Sequence, residues 1–265
     1  MKDINIAMIQ TDLYWRNTST NLQLFSDFLD EVHKKTEIVI LPEMFSTGFT
    51  MDIEGLQQPT GKLTLEWLKT QSAKHNMILI GSILTEENNK YFNRMYWMRP
   101  DGSFDFYDKR HLFHMAGEHK IMTGGEVQKI VEYRGWRFNL QVCYDLRFPV
   151  WAKNHYDNTT DKYAYDVLIY IANWPEVRKQ AYLPLLQARA IENQSFVIWT
   201  NRIGKDGKGI IHSGDTRLID PYGKVQNKME AHQQGILYST LNGEMLQYFR
   251  AKFKVGLDWD EFEIV

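Results

Sequence analysis

The sequence predicts an α/β fold: two mixed β-sheets packed face to face with helices on the outside, an αββα sandwich. Three observations predict it. Strand-like and helix-like segments alternate along the chain, hairpin signals interrupt that alternation in both halves, and the strands are too many for one sheet. Alternation alone would suggest a single parallel sheet, whereas hairpins require antiparallel pairs within it.

The elements follow in order. Ile4 to Ile9 alternates apolar and polar residues, a half-buried strand. From Asn17 to Lys35, the stripe Leu22, Phe25, Phe28, Leu29 and Val32 marks an amphipathic helix with Asn17 to Ser19 as caps. Ile38 to Leu41 is a short buried strand stopped by Pro42. A helix over Leu63 to His75 leads to a strand from Met77 to Ile83. Met95 to Met98 and Phe104 to Tyr107 flank Pro100-Asp101-Gly102, and Ile130 to Tyr133 pairs with Trp136 to Val142 across Arg134-Gly135; both read as hairpins. Val167 to Ile171 is a strand, followed by a helix to Ala190 in which Pro184 stands either in the first turn or at a kink. Phe196 to Thr200, Thr216 to Ile219 and Gly235 to Ser239 complete the strands, the last two separated by a turn at Pro221-Tyr222-Gly223.

No repeat, low-complexity tract or linker divides the 265 residues, so residues 1–265 are read as one domain. The aromatic tail over 244–265 either covers its own core or docks on a partner subunit. A hydrophobic content of 43% with 24% charged residues is ordinary for a soluble globular chain, and a net charge of −2 argues against a nucleic-acid binder. No apolar run approaches membrane-spanning length. A single cysteine forms no internal disulfide, which fits a reducing, cytoplasmic setting.

That cysteine, Cys143, follows the strand that ends at Val142 and begins a polar turn. Two other reactive side chains stand just past strand ends: Glu43 after Ile38 to Pro42, and Lys109 after Phe104 to Asp108. Sites in α/β sheets gather at such ends. Singly, these are a loop acid, a surface lysine and a small inert hydrophobe. Together they supply base, cation and nucleophile, a set for acyl transfer. A free thiol has a pKa of about 8.5, and a neighbouring ammonium favours its anion. Asp145 and Arg147 read as a salt-bridged support for the turn. His111, His114, Glu118 and His119 cluster within nine residues, but their spacing misses the zinc-helix pattern and Gly117 marks a loop, so no metal is expected there. Gly204, Gly207 and Gly209 lack the order of a phosphate loop and read as a hairpin or surface loop.

The segments Leu41-Pro42-Glu43-Met44-Phe45, Tyr107-Asp108-Lys109-Arg110-His111-Leu112-Phe113 and Val142-Cys143-Tyr144-Asp145-Leu146-Arg147-Phe148-Pro149 resemble the three signatures of the nitrilase superfamily of carbon–nitrogen hydrolases. Ala172-Asn173-Trp174-Pro175 and Ala188 to Gln194 extend the likeness in the family's order, and the branch most similar is that of bacterial omega-amidases. The resemblance implies two sheets between helical layers, homodimers, and Glu43, Lys109 and Cys143 as a catalytic triad. Glu118 falls where many members carry a second, orienting glutamate. It also implies hydrolysis, by water, of the terminal amide of a small 2-oxo acid amide such as 2-oxoglutaramate, without metal or organic cofactor. Aliphatic amides, N-carbamoyl amines and nitriles are alternative substrates for the same triad, and an inert binding protein is the alternative of another class.

In that chemistry, Glu43 takes the thiol proton, and Lys109 with the Tyr144 backbone N–H holds the oxyanion. Arg178 is the candidate grip for a substrate carboxylate, and a surface arginine otherwise. Phe45, Trp174 and Tyr144 either line the pocket or belong to the core. Tyr182 stands where similar omega-amidases tend to carry tryptophan.

Overall fold

The computed structural model describes residues 1–54, 56 and 60–264. The first half of the chain runs β1 (Ile4–Gln10), α1 (Thr18–Glu31), β2 (Ile38–Ile40), α2 (Thr60–His75), β3 (Ile78–Glu87), β4 (Lys90–Met98), β5 (Phe104–Asp108), β6 (Ile130–Tyr133) and β7 (Trp136–Val142). Next come α3 (Pro149–Ala152), β8 (Tyr156–Asp157), β9 (Lys162–Tyr163), β10 (Val167–Ala172), α4 (Lys179–Asn193) and β11 (Phe196–Asn201). The chain finishes with β12 (Ile203–Lys205), β13 (Ile211–Ser213), β14 (Arg217–Ile219), β15 (Val225–Lys228), β16 (Gly235–Leu241) and α5 (Gly243–Lys252).

Two six-stranded sheets form, in the orders β16-β1-β2-β3-β4-β5 and β15-β14-β11-β10-β7-β6. Both are mixed, as the hairpins require. β1 pairs parallel with β2 and antiparallel with β16, while β10 lies parallel to both β7 and β11. The sheets face each other across one core, in which Met8, Ile40 and Trp97 of the first meet Phe138, Leu140 and Ile169 of the second. Trp97 and Phe138 pack across that interface with ring centroids 4.9 Å apart. A second cluster seals the outer face of the first sheet: Phe25 and Leu29 of α1 and Leu68 of α2 cover Val39 and Leu79. Tyr182, Leu186 and Ala190 of α4 cover the second sheet, so the layers are helix, sheet, sheet, helix.

The N-cap expectation holds: the Asn17 side chain accepts from the Thr20 N–H at 3.1 Å. α1 stops at Glu31 rather than Lys35, because Val32 turns extended with ψ 134°. The second hairpin turns through Arg134 and Gly135, both with positive φ (50° and 81°), the pair of left-handed residues that a two-residue turn demands. Pro184 is the sixth residue of α4, past the first turn, and faces solvent, where the missing N–H costs one hydrogen bond but no packing. The first part of the tail packs on its own fold. Leu246 is buried, and Arg250 donates to Asp166 Oδ1 at 2.5 Å and to the Tyr165 carbonyl at 2.8 Å. Among the described residues, no helix is long and apolar enough to cross a membrane.

This topology sets the site. β2, β3 and β5 point the same way in the first sheet, and β7 and β10 share one direction in the second. The residues just past β2, β5, β7 and β10 are Glu43, Lys109, Cys143 and Asn173, and they meet at one end of the sandwich.

Candidate active site

Each reactive residue is held by the turn that follows its strand. Pro42 ends β2, and the chain then reverses through Met44, at φ 43°, with the Met44 N–H bound to Ser82 Oγ at 2.9 Å. Glu43 is thereby fully buried. Its Oε1 accepts from Lys109 Nζ at 2.9 Å and from Asn93 Nδ2 at 2.8 Å, and its Oε2 accepts from the Asn173 backbone N–H at 2.8 Å. The Asn173 side-chain amide also donates to the Glu43 carbonyl.

Lys109 lies between two carboxylates. Glu118 approaches its Nζ with both oxygens at 3.0 Å, and Phe49 presents its ring 4.9 Å from the same nitrogen. Burial works against the Lys109 charge, but Glu118 and Glu43 outweigh it and hold the ammonium above the ordinary lysine range. Burial, with Glu43 adding to it against the opposing Lys109 charge, pushes the Glu118 carboxyl up. Glu118 is fixed in turn by the Phe113 N–H at 2.6 Å.

Cys143 opens a 3₁₀ turn over Cys143–Arg147 with φ 46°, a left-handed conformation that L side chains seldom adopt. Its thiol is more enclosed than a strand-end position suggests, only 8% exposed. Burial and then the adjacent Glu43 charge push the thiol well above its ordinary value, and Lys109 opposes this without overcoming it. Lys109 favours the anion as the sequence suggested, but the desolvation of a buried sulfur exceeds the pull of one ammonium already shared by two acids, which favours the neutral thiol. Alkylation of Cys143 by iodoacetamide should accordingly keep rising with pH beyond about 8.5, where a free thiol is half ionised. A rate that levels off below that point would contradict the assignment.

Glu43, Lys109, Cys143 and Asn173 line a cavity of about 490 Å³, with Glu118 behind Lys109. Tyr144, Trp174 and Arg178 line it too, as expected, with the Arg178 guanidinium 5.1 Å from the Phe113 ring. Phe45 does not. It is fully buried on the far side, edge-on to Phe25 at 5.2 Å and against Trp67 at 5.6 Å, because the reversal at Met44 turns it into the outer core. Phe49, four residues on, takes the cavity position. Tyr182 stays behind the wall, stacked on Trp199 and bonded to Asp215 at 2.7 Å.

Asp145 does not pair with Arg147. It is buried and bound to His111 and Tyr107, which leaves Arg147 over the Trp174 ring at 5.3 Å and lining the cavity. The histidine-rich segment disperses: His111 turns to Asp145, His114 and His119 stack on each other at the surface, and Glu118 goes inside. Asn93 and the roof residues went unnoticed in the sequence. The roof is the β12–β13 hairpin, of which Asp206, Lys208 and Ile210 in the loop and His212 in β13 line the cavity. His212 is buried and pushed down to about 4 by burial and then by Arg202, so it is uncharged at neutral pH. Gly207 lies so close to the Trp15 indole that a Cβ there would fall 2.2 Å from it.

An αββα sandwich with a buried acid, amine and thiol at the joined strand ends defines a class, and the chain belongs to the carbon–nitrogen hydrolase family, which it matches over residues 5–251. It is a hydrolase of carbon–nitrogen bonds other than peptide bonds. It is similar to the omega-amidase YafV of Yersinia enterocolitica, at 38% identity over 262 residues and 99% of each chain. It is also similar to the 2-oxoglutaramate amidase of Bacillus subtilis, at 33% identity over 83% of this chain and 84% of that one. Among solved structures, XC1258 of Xanthomonas campestris, a CN-hydrolase superfamily protein with an arsenic adduct in its active site, superposes with a TM-score of 0.94 at 36% identity over 100% of both chains.

Proposed function

We propose that the protein hydrolyses the terminal amide of a small 2-oxo dicarboxylic acid monoamide, of the 2-oxoglutaramate type, through a thioester on Cys143. One observation carries this reading. The Cys143 thiol sits beside the buried Glu43–Lys109–Glu118 group, in a cavity where Arg147 and Arg178 have no acidic partner among the described residues. The names of the two amidase relatives point the same way.

In the first half-reaction, Glu43 takes the proton from the Cys143 thiol as sulfur attacks the amide carbon. The carbonyl electron pair moves to oxygen. Lys109 Nζ and the Tyr144 N–H receive that oxyanion; the latter stands in the first turn of a 3₁₀ helix and has no partner within it. The oxyanion collapses, Glu43 returns the proton to nitrogen, and ammonia leaves a thioester. In the second half-reaction, Glu43 removes a proton from water as its oxygen attacks the thioester, and collapse expels sulfur, which regains the proton. Glu118 acts through Lys109, holding the ammonium where it serves both steps.

Arg178 is the grip for the substrate carboxylate. Arg178→Ala should raise KM for 2-oxoglutaramate on the order of 10–100-fold, the loss of a charge-assisted bidentate contact, and leave a neutral aliphatic amide unchanged. Ammonia release from 2-oxoglutaramate, glutamine, an aliphatic amide, an N-carbamoyl amine and a nitrile tests the substrate class. Equal or better turnover of the nitrile overturns it. The expected homodimer is also proposed here, supported by the exposed apolar side chains of Val150 and Val177 beside α3 and α4. Light scattering should return twice the 31.3 kDa of one chain.

A further inference from the structure

Asp145 takes no part in the chemistry above, yet it is among the most heavily bonded side chains in the molecule. It is fully buried. Its Oδ2 accepts from the Tyr107 hydroxyl at 2.8 Å and from the Val142 N–H at 2.9 Å. Its Oδ1 accepts from the His111 N–H at 3.0 Å and lies 2.7 Å from His111 Nδ1. A carboxylate only accepts, so Nδ1 carries the proton in that contact.

The positions of these donors in the sequence matter. Val142 immediately precedes Cys143, while Tyr107 and His111 stand two residues to either side of Lys109. One carboxylate therefore clamps the backbone of the thiol's turn to both ends of the short segment that carries the lysine, across the seam between the two sheets. The Cys143 turn is left-handed and needs such external bonds to persist. His111 is braced on its other side by Phe148, with rings stacked at 3.7 Å and 5° apart, and Trp151 Nε1 donates to the Tyr107 hydroxyl at 2.9 Å. Each donor to Asp145 is thus itself held.

We propose that Asp145 and His111 are positioning residues for amide hydrolysis, a strut that sets the distance between Cys143 and Lys109. The proposal rests on Cys143 being the nucleophile. Neither strut residue touches the substrate. Both act on how closely the attacked carbonyl approaches sulfur while its oxygen faces Lys109, a geometry in which a shift of about 1 Å costs roughly 10²-fold in rate.

The test compares His111→Leu with His111→Asn, whose side-chain N–H can stand where Nδ1–H does. His111→Leu should lower kcat on the order of 10–100-fold with KM moved less than about twofold, and His111→Asn should restore most of kcat. Tyr107→Phe removes a second donor without emptying space; it should lower kcat in the same sense and keeps the test open if His111→Leu does not fold. Equal kcat for the leucine and asparagine variants at equal thermal midpoints overturns the strut, as does a change confined to KM. Cys143→Ala, run alongside, separates the two ideas. If it stays active, the nucleophile assignment fails whatever the strut variants do.

Discussion

Replacing Cys143 with alanine is expected to abolish ammonia release, by roughly 10⁴-fold or more, while leaving the fold intact. The size follows from the site's design. Glu43 and Lys109 are arranged around a sulfur, and without it they have no nucleophile to direct at the amide carbon; water at the same point lacks both the thiol's nucleophilicity and its fixed position. The fold is spared because the side chain lost is small and the turn at Cys143 is held from Asp145 rather than by the thiol. The direct check is mass spectrometry on wild-type enzyme quenched during turnover, which should show an acyl group on Cys143. An alanine variant retaining even about one-hundredth of wild-type turnover would remove the thioester from the mechanism.

Lys109→Met should be nearly as damaging to activity and far more so to stability. The lysine is the shared cation of two fully buried carboxylates. Removing it leaves Glu43 and Glu118 with Asn93 and backbone donors alone, and an uncompensated buried charge costs about 3–5 kcal/mol. Under the proposed mechanism it also removes an oxyanion donor, worth on the order of 10²–10³ in kcat. The two effects separate in the double variant Lys109→Met/Glu118→Gln, which should recover much of the stability in urea unfolding and none of the turnover. The pH dependence has a definite sign. Burial already raises the Glu118 carboxyl against the opposing Lys109 charge, and without the lysine that opposition is gone, so the folded state binds a proton at Glu118 more readily than the unfolded chain. The deficit relative to wild type is then largest near neutrality and shrinks as pH falls toward the free glutamate value of about 4.3. A single variant as stable as wild type at neutral pH would mean that the acids do not depend on Lys109.

How much of this was legible beforehand follows from range. Period-two alternation marked the strands around Ile6 and Phe138, a short apolar run marked the one around Ile169, and Arg134-Gly135 and Asp101-Gly102 marked hairpins, because all three signals are local. The meeting of Glu43, Lys109 and Cys143 was legible because each stands within three residues of a strand's end, and parallel strands bring such ends together. The Phe45 reading failed on a single backbone angle: the left-handed step at Met44 sends Phe45 outward and leaves the cavity to Phe49. Asp145 looked like a partner for nearby Arg147, but its bonds reach back 34 residues to His111, and no local pattern encodes that distance. The Lys109 contribution to the Cys143 thiol was legible because a neighbouring charge is visible in a motif; the larger effect of burial was not, because desolvation leaves no local pattern.

The roof hairpin has a further consequence. Asp206, Lys208 and Ile210 of its connecting loop and His212 of β13 line the cavity. The four inward positions belong to neither the acid–amine–thiol group nor the strands that present it. Exchanges on this one ribbon therefore change the cavity's lining and leave the acid–amine–thiol group untouched.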